Sequence, residues 1–330
     1  MTPVHDAVIP PPQAWTGAEL GGRAALRRPV SPAALAGFDA LALRLKGRPL
    51  SAIGRADFDD PAVNALMAAV RADVMDGRGH SIVSGLDPAR YDPEDYQRLY
   101  WGMGTHLGRG VVQSFFGDHV ARVEKNPDLP VRGTTTDMEL RAHTDFHELM
   151  SLASISLPLS GGVSGFVSSL AVHNEILRTR PELLAPLYEG WFNVSVRTRA
   201  PSPHKTPIFC NVAGRVSCFY NRVFFQRPED GAPAMPEALI QAMALMDDIA
   251  ARRDIRADFT LEPGEAVFWH NFLVMHSRSA FVDSPEHRRL LLRLWLNVPD
   301  GRPMADEIRE RSRIIDLDHT SGRRAPPVPA

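Results

Sequence analysis

The chain has 330 residues, 44% apolar and 23% charged, an ordinary globular composition with enough length for one large core or two modest ones. Lys and Arg (37) nearly balance Asp and Glu (39), and the formal net charge of −2 gives no basic surplus that would mark nucleic acid or an anionic membrane as a partner. No stretch reaches the roughly 20 apolar residues that a membrane span needs, and the opening MTPVHDAVIPPPQAW lacks a signal peptide's basic start and apolar run, so a cytoplasmic protein is expected.

Residues 1–30, rich in Pro, Gly and Ala, read as an extended or poorly ordered arm, and the tail at 321–330, SGRRAPPVPA, as flexible. Residues 31–320 read as one domain. Asp60 and Pro61 start a helix that Gly77 ends. HSIVSGL (80–86) reads as a short strand and PEDYQRLYWGMGTHLG (93–108) as a second helix. The polar, Gly-containing stretch 110–140 reads as a lid. Leu149–Leu157 is a strand with interleaved serines, and Leu170–Gly190 a third helix broken near Pro181. PIFCNV and VSCFYN flank the turn Ala213-Gly214-Arg215, a hairpin signature. Cys210 and Cys218 sit on these two strands and match no CxxC or zinc-ligand spacing, which fits a reducing compartment. A fourth helix starts at Pro236 and ends near Arg253. ADFTLEPGEAVFWHN is a strand, a Pro-Gly turn and another strand, and FLVMHSRSAF and RRLLLRLWLNV close the series. The expected fold is mainly β with flanking helices, a barrel or sandwich.

The stretch 288–298 is the most informative. A strand alternates its side chains between two faces. One face carries Leu290, Leu292, Leu294, Leu296 and Val298, and the other Arg289, Leu291, Arg293, Trp295 and Asn297. The leucines must pack against a helix or second sheet. The two guanidiniums point the same way, and inside a barrel they would need anionic partners. A dicarboxylate ligand supplies them.

The stretch Leu140–Phe146 contains a His-x-Asp motif, His143 and Asp145. On a strand these project to one side and can bind adjacent positions of one metal. A third ligand completes a 2-His-1-carboxylate facial triad, the arrangement for non-haem Fe(II) with three open positions. His276, on a late strand before the two-arginine strand, is the best third ligand. A lone HxD is common in any chain; the late His and the paired arginines give it weight.

In sequence the chain resembles the taurine dioxygenase-like, clavaminate synthase-like family of Fe(II)/2-oxoglutarate oxygenases. The resemblance runs from about His80 to Pro303 and rests on HTD at 143–145, Gly161-Gly162-Val163-Ser164, PGEAVFWHN at 263–271, VMHSRSAF from 274 and RRLLLRLWL up to 296, in that order. It implies a double-stranded β-helix, or jelly roll, with iron at its mouth. It implies His143, Asp145 and His276 as iron ligands, and 2-oxoglutarate and dioxygen as cosubstrates. Arg289 matches the arginine that pairs with the distal carboxylate of 2-oxoglutarate, where a planar fork serves better than Lys. Ser164 matches a hydroxyl sharing that carboxylate, and Arg293 a second arginine near cosubstrate and substrate. The reaction implied is oxidation of a C–H bond of a small molecule, by default hydroxylation, with release of succinate and CO2. Amino acids and natural-product intermediates are the expected substrates. Asp145 argues against halogenation, since halogenating relatives carry Gly or Ala there. The segment from the HTD to the paired glycines is shorter than in taurine dioxygenase itself, which argues against taurine as substrate.

Arg293, Phe146, Arg278 and Phe115 are the candidate substrate contacts, with Phe116 a further wall residue. Arg278 and the aromatics have competing structural readings as an ion pair and as core. Trp295 reads as core filling. His147 reads as a pocket-lining or supporting residue, and His270 as structural. His106, His119, His287 and Arg288 read as ordinary polar residues away from the metal. Two other classes compete: a jelly-roll protein that binds metal or a small acid without catalysis, and a zinc hydrolase with the same ligands. The intact ligand set speaks against the first, and the absence of any need for Arg289 against the second. A homo-oligomer is compatible with the sequence.

Overall fold

Six consecutive core strands alternate between two sheets, and this alternation makes the jelly roll. The computed structural model describes residues 2–114, 116–129, 133–194, 201–225 and 234–320. The strands Leu140–His143, Ser164–Ser168 and Val274–Arg278 belong to a four-stranded sheet, completed by Ala257–Phe259. Leu149–Ser156, Glu265–His270 and Leu290–Asn297 belong to a seven-stranded sheet. Its order is Arg27–Pro29, His80–Ser84, Glu265–His270, Leu149–Ser156, Leu290–Asn297 and Arg109–Gly110, with Ala121–Val123 also on Leu290–Asn297. All pairings in both sheets are antiparallel except the first, Arg27–Pro29 with His80–Ser84. The two sheets share no ladder, so the core is a sandwich and not a closed barrel.

The alternation expected of the late strand holds from Leu291 onward. Leu292, Leu294 and Leu296 enter a core shared with the helices Pro32–Leu45, Pro61–Met75 and Pro93–Thr105. Trp295 turns the other way, into the core between the sheets, with Met150, Phe166, Val267 and Trp269. Phe166 of the small sheet meets Trp269 of the large sheet edge-on at 5.5 Å. Each such large side chain contributes on the order of 1.5–3 kcal/mol by leaving water.

The capped starts are where the sequence places them. Asp60 accepts from the amides of Ala62 and Val63, ahead of Pro61 at the first turn. The hairpin turns through Ala213 (φ 51°) and Gly214 (φ 74°), the left-handed pair that a two-residue turn requires. The third helix breaks into Ser169–Thr179, the 3-10 turn Pro181–Leu183 and Leu184–Glu189. The helices Pro32–Leu45 and Asp306–Thr320 are additions to the sequence reading.

The N-terminal arm is extended but tied down. Trp15 is 3% exposed and donates its indole N–H to the Arg78 carbonyl at 2.7 Å. Arg27–Pro29 joins the large sheet, and Arg23 and Arg27 reach the buried Glu265. Burial of Trp15, Leu20 and Leu26 fixes a segment that composition alone reads as loose. The 321–330 tail lies outside the described residues.

Candidate metal centre

His143 and His276 are direct partners on neighbouring antiparallel strands, and Asp145 joins them from just beyond the strand end. One ligand atom from each of the three lies within 4.8 Å of the other two. The strand stops at His143 because the next amides leave the ladder. Thr144 N–H goes to the Tyr220 carbonyl (2.6 Å) and Asp145 N–H to Asn271 Oδ1 (3.0 Å). Asn271 also donates to the carbonyls of Asp145 and His147, both at 2.9 Å. Thus a buried amide, rather than strand alternation, sets where the carboxylate sits.

The ligands have the protonation states a cation wants. His143 Nδ1 lies 2.8 Å from the Arg141 carbonyl, which makes it the protonated nitrogen and leaves Nε2 for a metal. Burial, aided by His143 and opposed by Asp145, pushes His276 down to about 3, so it is neutral at physiological pH. Burial alone would raise Asp145; His276, His143, Arg293 and the Trp295 N–H outweigh it and hold the carboxyl below its ordinary range. Two neutral imidazoles and a carboxylate fit a divalent first-row metal, with positions left for a bidentate ligand.

A second cluster fits a dicarboxylate. Arg289 is 4% exposed, and its Nη1 is buried with no hydrogen-bond partner among the described residues. Its guanidinium lies 5.1 Å from the Phe281 ring centre, and that of Arg278 lies 5.0 Å from the same ring. Burial, then Arg278, pushes Arg289 down to about 9, still cationic at neutral pH. Ser164 is 5% exposed and directly opposite Arg278 across the small sheet, so it shares that face. Gly162 (φ 69°) lets the chain pass close by: a Cβ there would lie 3.0 Å from Arg289 Nε. Arg289 itself precedes the strand, which shifts register between Leu290 and Leu291, and its N–H is anchored on Asp283 Oδ1 at 2.9 Å. An orphaned buried cation beside a hydroxyl is what a bound carboxylate would complete.

The other candidate contacts divide. Arg293 lies between the two clusters, with Nη1 3.9 Å from Asp145 Oδ2 and Nη2 donating to the Gln113 carbonyl at 3.1 Å. Phe146 is 5% exposed and packs on Phe224 at 5.2 Å. Arg278 is committed elsewhere: it donates to the carbonyls of Gly133 (2.9 Å), Thr136 (2.8 Å) and Met138 (2.5 Å). It therefore neither forms the ion pair read for it nor offers a free fork to a substrate. Phe115 lies outside the described residues, and Phe116 is 69% exposed, away from any wall. The 110–140 stretch read as a lid contributes Ala121–Val123 to the large sheet, and Arg278 straps its 133–138 part.

Sequence reasoning missed Trp295 and Asn271. Trp295 was expected to fill core, but its indole N–H reaches Asp145 Oδ2 at 3.1 Å. The signal was present in its alternation with Arg293. Asn271 sits inside the quoted PGEAVFWHN, with no pattern to reveal its target. His147 is fully buried, with Nδ1 2.9 Å from Asn297 Oδ1 and Nε2 3.3 Å from Asp316 Oδ1, a supporting position. His270 lies 3.4 Å from Glu148, and His287 and Arg288 are exposed.

Comparison with known proteins agrees with this geometry. FR-33289 synthase of Streptomyces rubellomurinus is 28% identical over 245 residues, covering 68% of this chain and 71% of that protein. Taurine hydroxylase-like protein SAT17 of Stachybotrys chartarum is 26% identical over 243 residues, 67% of this chain and 61% of that protein. Asparagine oxygenase, solved with Fe(II), 2S,3S-3-hydroxyasparagine and succinate, superposes with a TM-score of 0.65 at 13% identity, covering 82% of this chain and 93% of that one. The non-haem iron oxygenase OrfP, solved with Fe and alpha-ketoglutaric acid, gives 0.59 at 16% identity, covering 82% and 94%. These structures share the fold. Residues 46–295, most of the chain, match the family described as "Taurine catabolism dioxygenase TauD, TfdA family", and the chain belongs to that family of Fe(II)- and 2-oxoglutarate-dependent dioxygenases.

Proposed function

We propose that this dioxygenase hydroxylates a C–H bond of a small carboxylate-bearing molecule, an amino acid or a natural-product intermediate, with His143, Asp145 and His276 as the iron ligands. The observation that carries the reading is the pairing of a neutral two-histidine, one-carboxylate cluster with a buried, unsatisfied guanidinium at Arg289. Iron and 2-oxoglutarate, when bound, supply with dioxygen the oxidising power for the C–H bond, and 2-oxoglutarate is decarboxylated to succinate. His143 presents Nε2 because its Nδ1 proton is held by the Arg141 carbonyl. Arg289 pairs with the distal carboxylate of the cosubstrate, and the Ser164 hydroxyl donates to the same group. Arg293, beside Asp145, orients an anionic group close to the metal. Phe146 and the sheet core exclude water from the reacting carbon. The family's relatives act on amino acids and natural-product intermediates: asparagine oxygenase was solved with a hydroxylated asparagine, and OrfP with (3S)-hydroxy-L-Arg. This supports an amino-acid-like substrate here.

The test is an anaerobic titration with Fe(II) and 2-oxoglutarate followed by visible absorbance, then succinate release in air against a panel of amino acids and related acids. A charge-transfer band lost in His143→Ala and weakened in Arg289→Ala, with succinate formed in step with one hydroxylated acid, is expected. Metal binding with no band, and no succinate with any substrate, would return the chain to the metal-binding or hydrolase readings. Product analysis separates hydroxylation from desaturation, ring closure and epimerisation, which need the same residues.

A further inference from the structure

Asp145 is the ligand whose aim the backbone controls least, because it lies beyond the strand that carries His143. Two groups compete for its Oδ2. The Trp295 indole N–H lies at 3.1 Å, and the Arg293 guanidinium at 3.9 Å. The other oxygen, Oδ1, lies 3.7 Å from His143 Nε2, toward the metal position. A carboxylate tied by one oxygen presents the other for ligation. Without the indole donor it could close on Arg293, and a direct ion pair would oppose metal binding.

Trp295 is itself held. The Arg293 guanidinium carbon lies 3.9 Å from its ring centre, and the His319 ring is nearly parallel to it (4°) at 5.9 Å. His319 belongs to the last turn of the helix Asp306–Thr320, with Nδ1 3.1 Å from the Val112 carbonyl. The same helix secures the chain just after Asp145. Ser312 Oγ donates to the Phe146 carbonyl, and Asp316 meets His147 Nε2 at 3.3 Å and accepts from Asn297 Nδ2 at 3.2 Å.

We propose that Trp295 is a positioning residue for the metal-binding carboxylate, and that the C-terminal helix holds the indole and the 145–147 backbone in the ligating arrangement. The inference rests on the metal-centre reading. It adds a role for a residue and a helix outside the ligand set. Partners of this kind typically change metal affinity 10–100-fold when removed.

The experiment is a Co(II) titration without cosubstrate, read by calorimetry and by the Co(II) absorption spectrum. Trp295→Phe keeps the ring and removes the donor; it should weaken Co(II) binding by about tenfold or more and alter the spectrum. His319→Ala should weaken it less, and His319→Phe should restore it by restoring the stack. In an Asp145→Ala background Trp295→Phe should have no further effect, because its acceptor is gone. Wild-type affinity and spectrum in Trp295→Phe, or an equal loss in both backgrounds, would overturn the proposal. If Trp295→Phe does not fold, the His319 pair decides, and unchanged binding in His319→Ala overturns it. A His143→Ala protein that binds Co(II) like the wild type would sink the metal centre itself, a distinct failure.

Discussion

His143 and His276 face one another across paired strands with ring centres 4.1 Å apart. Two imidazoles and a carboxylate this close make a preformed site, so a divalent cation should bind the folded chain and not the unfolded one. Saturating Co(II) or Mn(II) is expected to raise the melting temperature by several degrees, since a ligand at 100 times its Kd adds about 2.7 kcal/mol. A chelator should reverse the shift, and His143→Ala should abolish it. An equal shift in His143→Ala would place the metal elsewhere.

Arg289 makes a stability–function conflict visible. A buried cation with an unsatisfied Nη1 beside Arg278 costs folding energy until an anion arrives. Arg289→Leu should stabilise the ligand-free protein by about 1–2 kcal/mol in urea unfolding. It should also remove the thermal stabilisation that 2-oxoglutarate gives the wild type. A destabilised Arg289→Leu protein would mean that the guanidinium is already satisfied without a ligand.

What was legible from the sequence is what local periodicity and turn chemistry control. Alternation along 291–297 separates Leu292, Leu294 and Leu296 from Arg293 and Trp295, and the structure puts those groups on opposite sides of the sheet. The Asp60-Pro61 cap and the Ala213-Gly214 turn are equally local. The His-x-Asp pair with a late His identified the metal ligands, although strand alternation was the wrong reason for Asp145. Its position depends on Asn271, 126 residues away, and no short-range pattern encodes that bond. The helix Asp306–Thr320 escaped notice because DEIRERSRIIDLDHT is mostly polar, and its apolar contacts, Ile308 and Ile315, are widely spaced. The N-terminal arm was misjudged as potentially loose because Trp15, Leu20 and Leu26 are too scattered to show a period.

Gly162 is the simplest probe of how Arg289 is held. An alanine there would carry about 1–2 kcal/mol of left-handed backbone strain and place its Cβ 3.0 Å from Nε and 3.1 Å from Cδ of Arg289. The side chain must shift. Steady-state kinetics of Gly162→Ala should show KM for 2-oxoglutarate raised about tenfold, with a smaller change in kcat at saturating cosubstrate. An unchanged KM would separate Gly162 from the cosubstrate site.

Arg278 straps the segment in front of the site. Three backbone carbonyls between Gly133 and Met138 share its guanidinium, and the same segment receives amides from Glu124, Asn126 and Phe281. Arg278→Ala removes bonds worth about 1.5–3 kcal/mol each when charge-assisted. Hydrogen exchange at the amides of Glu124, Asn126 and Phe281 should accelerate strongly, with the Leu149–Ser156 strand unaffected. Unchanged protection at those three amides would show that the strap is dispensable.

His80 sets part of the acid sensitivity. It is 1% exposed, between Trp15 (4.8 Å) and Phe166 (5.8 Å), and burial pushes it down to about 4. The Arg78 carbonyl 3.2 Å from its Nδ1 only partly opposes this. Between pH 6.5 and 4 the unfolded chain therefore takes up a proton at this residue that the folded chain does not. Stability falls as pH drops through that window, and this one group removes about 2 kcal/mol between pH 7.5 and 5. His173 and His106, each lowered to about 4, and His276, lowered to about 3, add to the loss in the metal-free protein. His80→Phe keeps the aromatic stack, and the Arg78 carbonyl still receives the Trp15 N–H. Urea unfolding of the metal-free variant at the two pH values should show a loss about 2 kcal/mol smaller than that of the wild type. An identical loss would mean that His80 is already charged in the folded protein or that water reaches it.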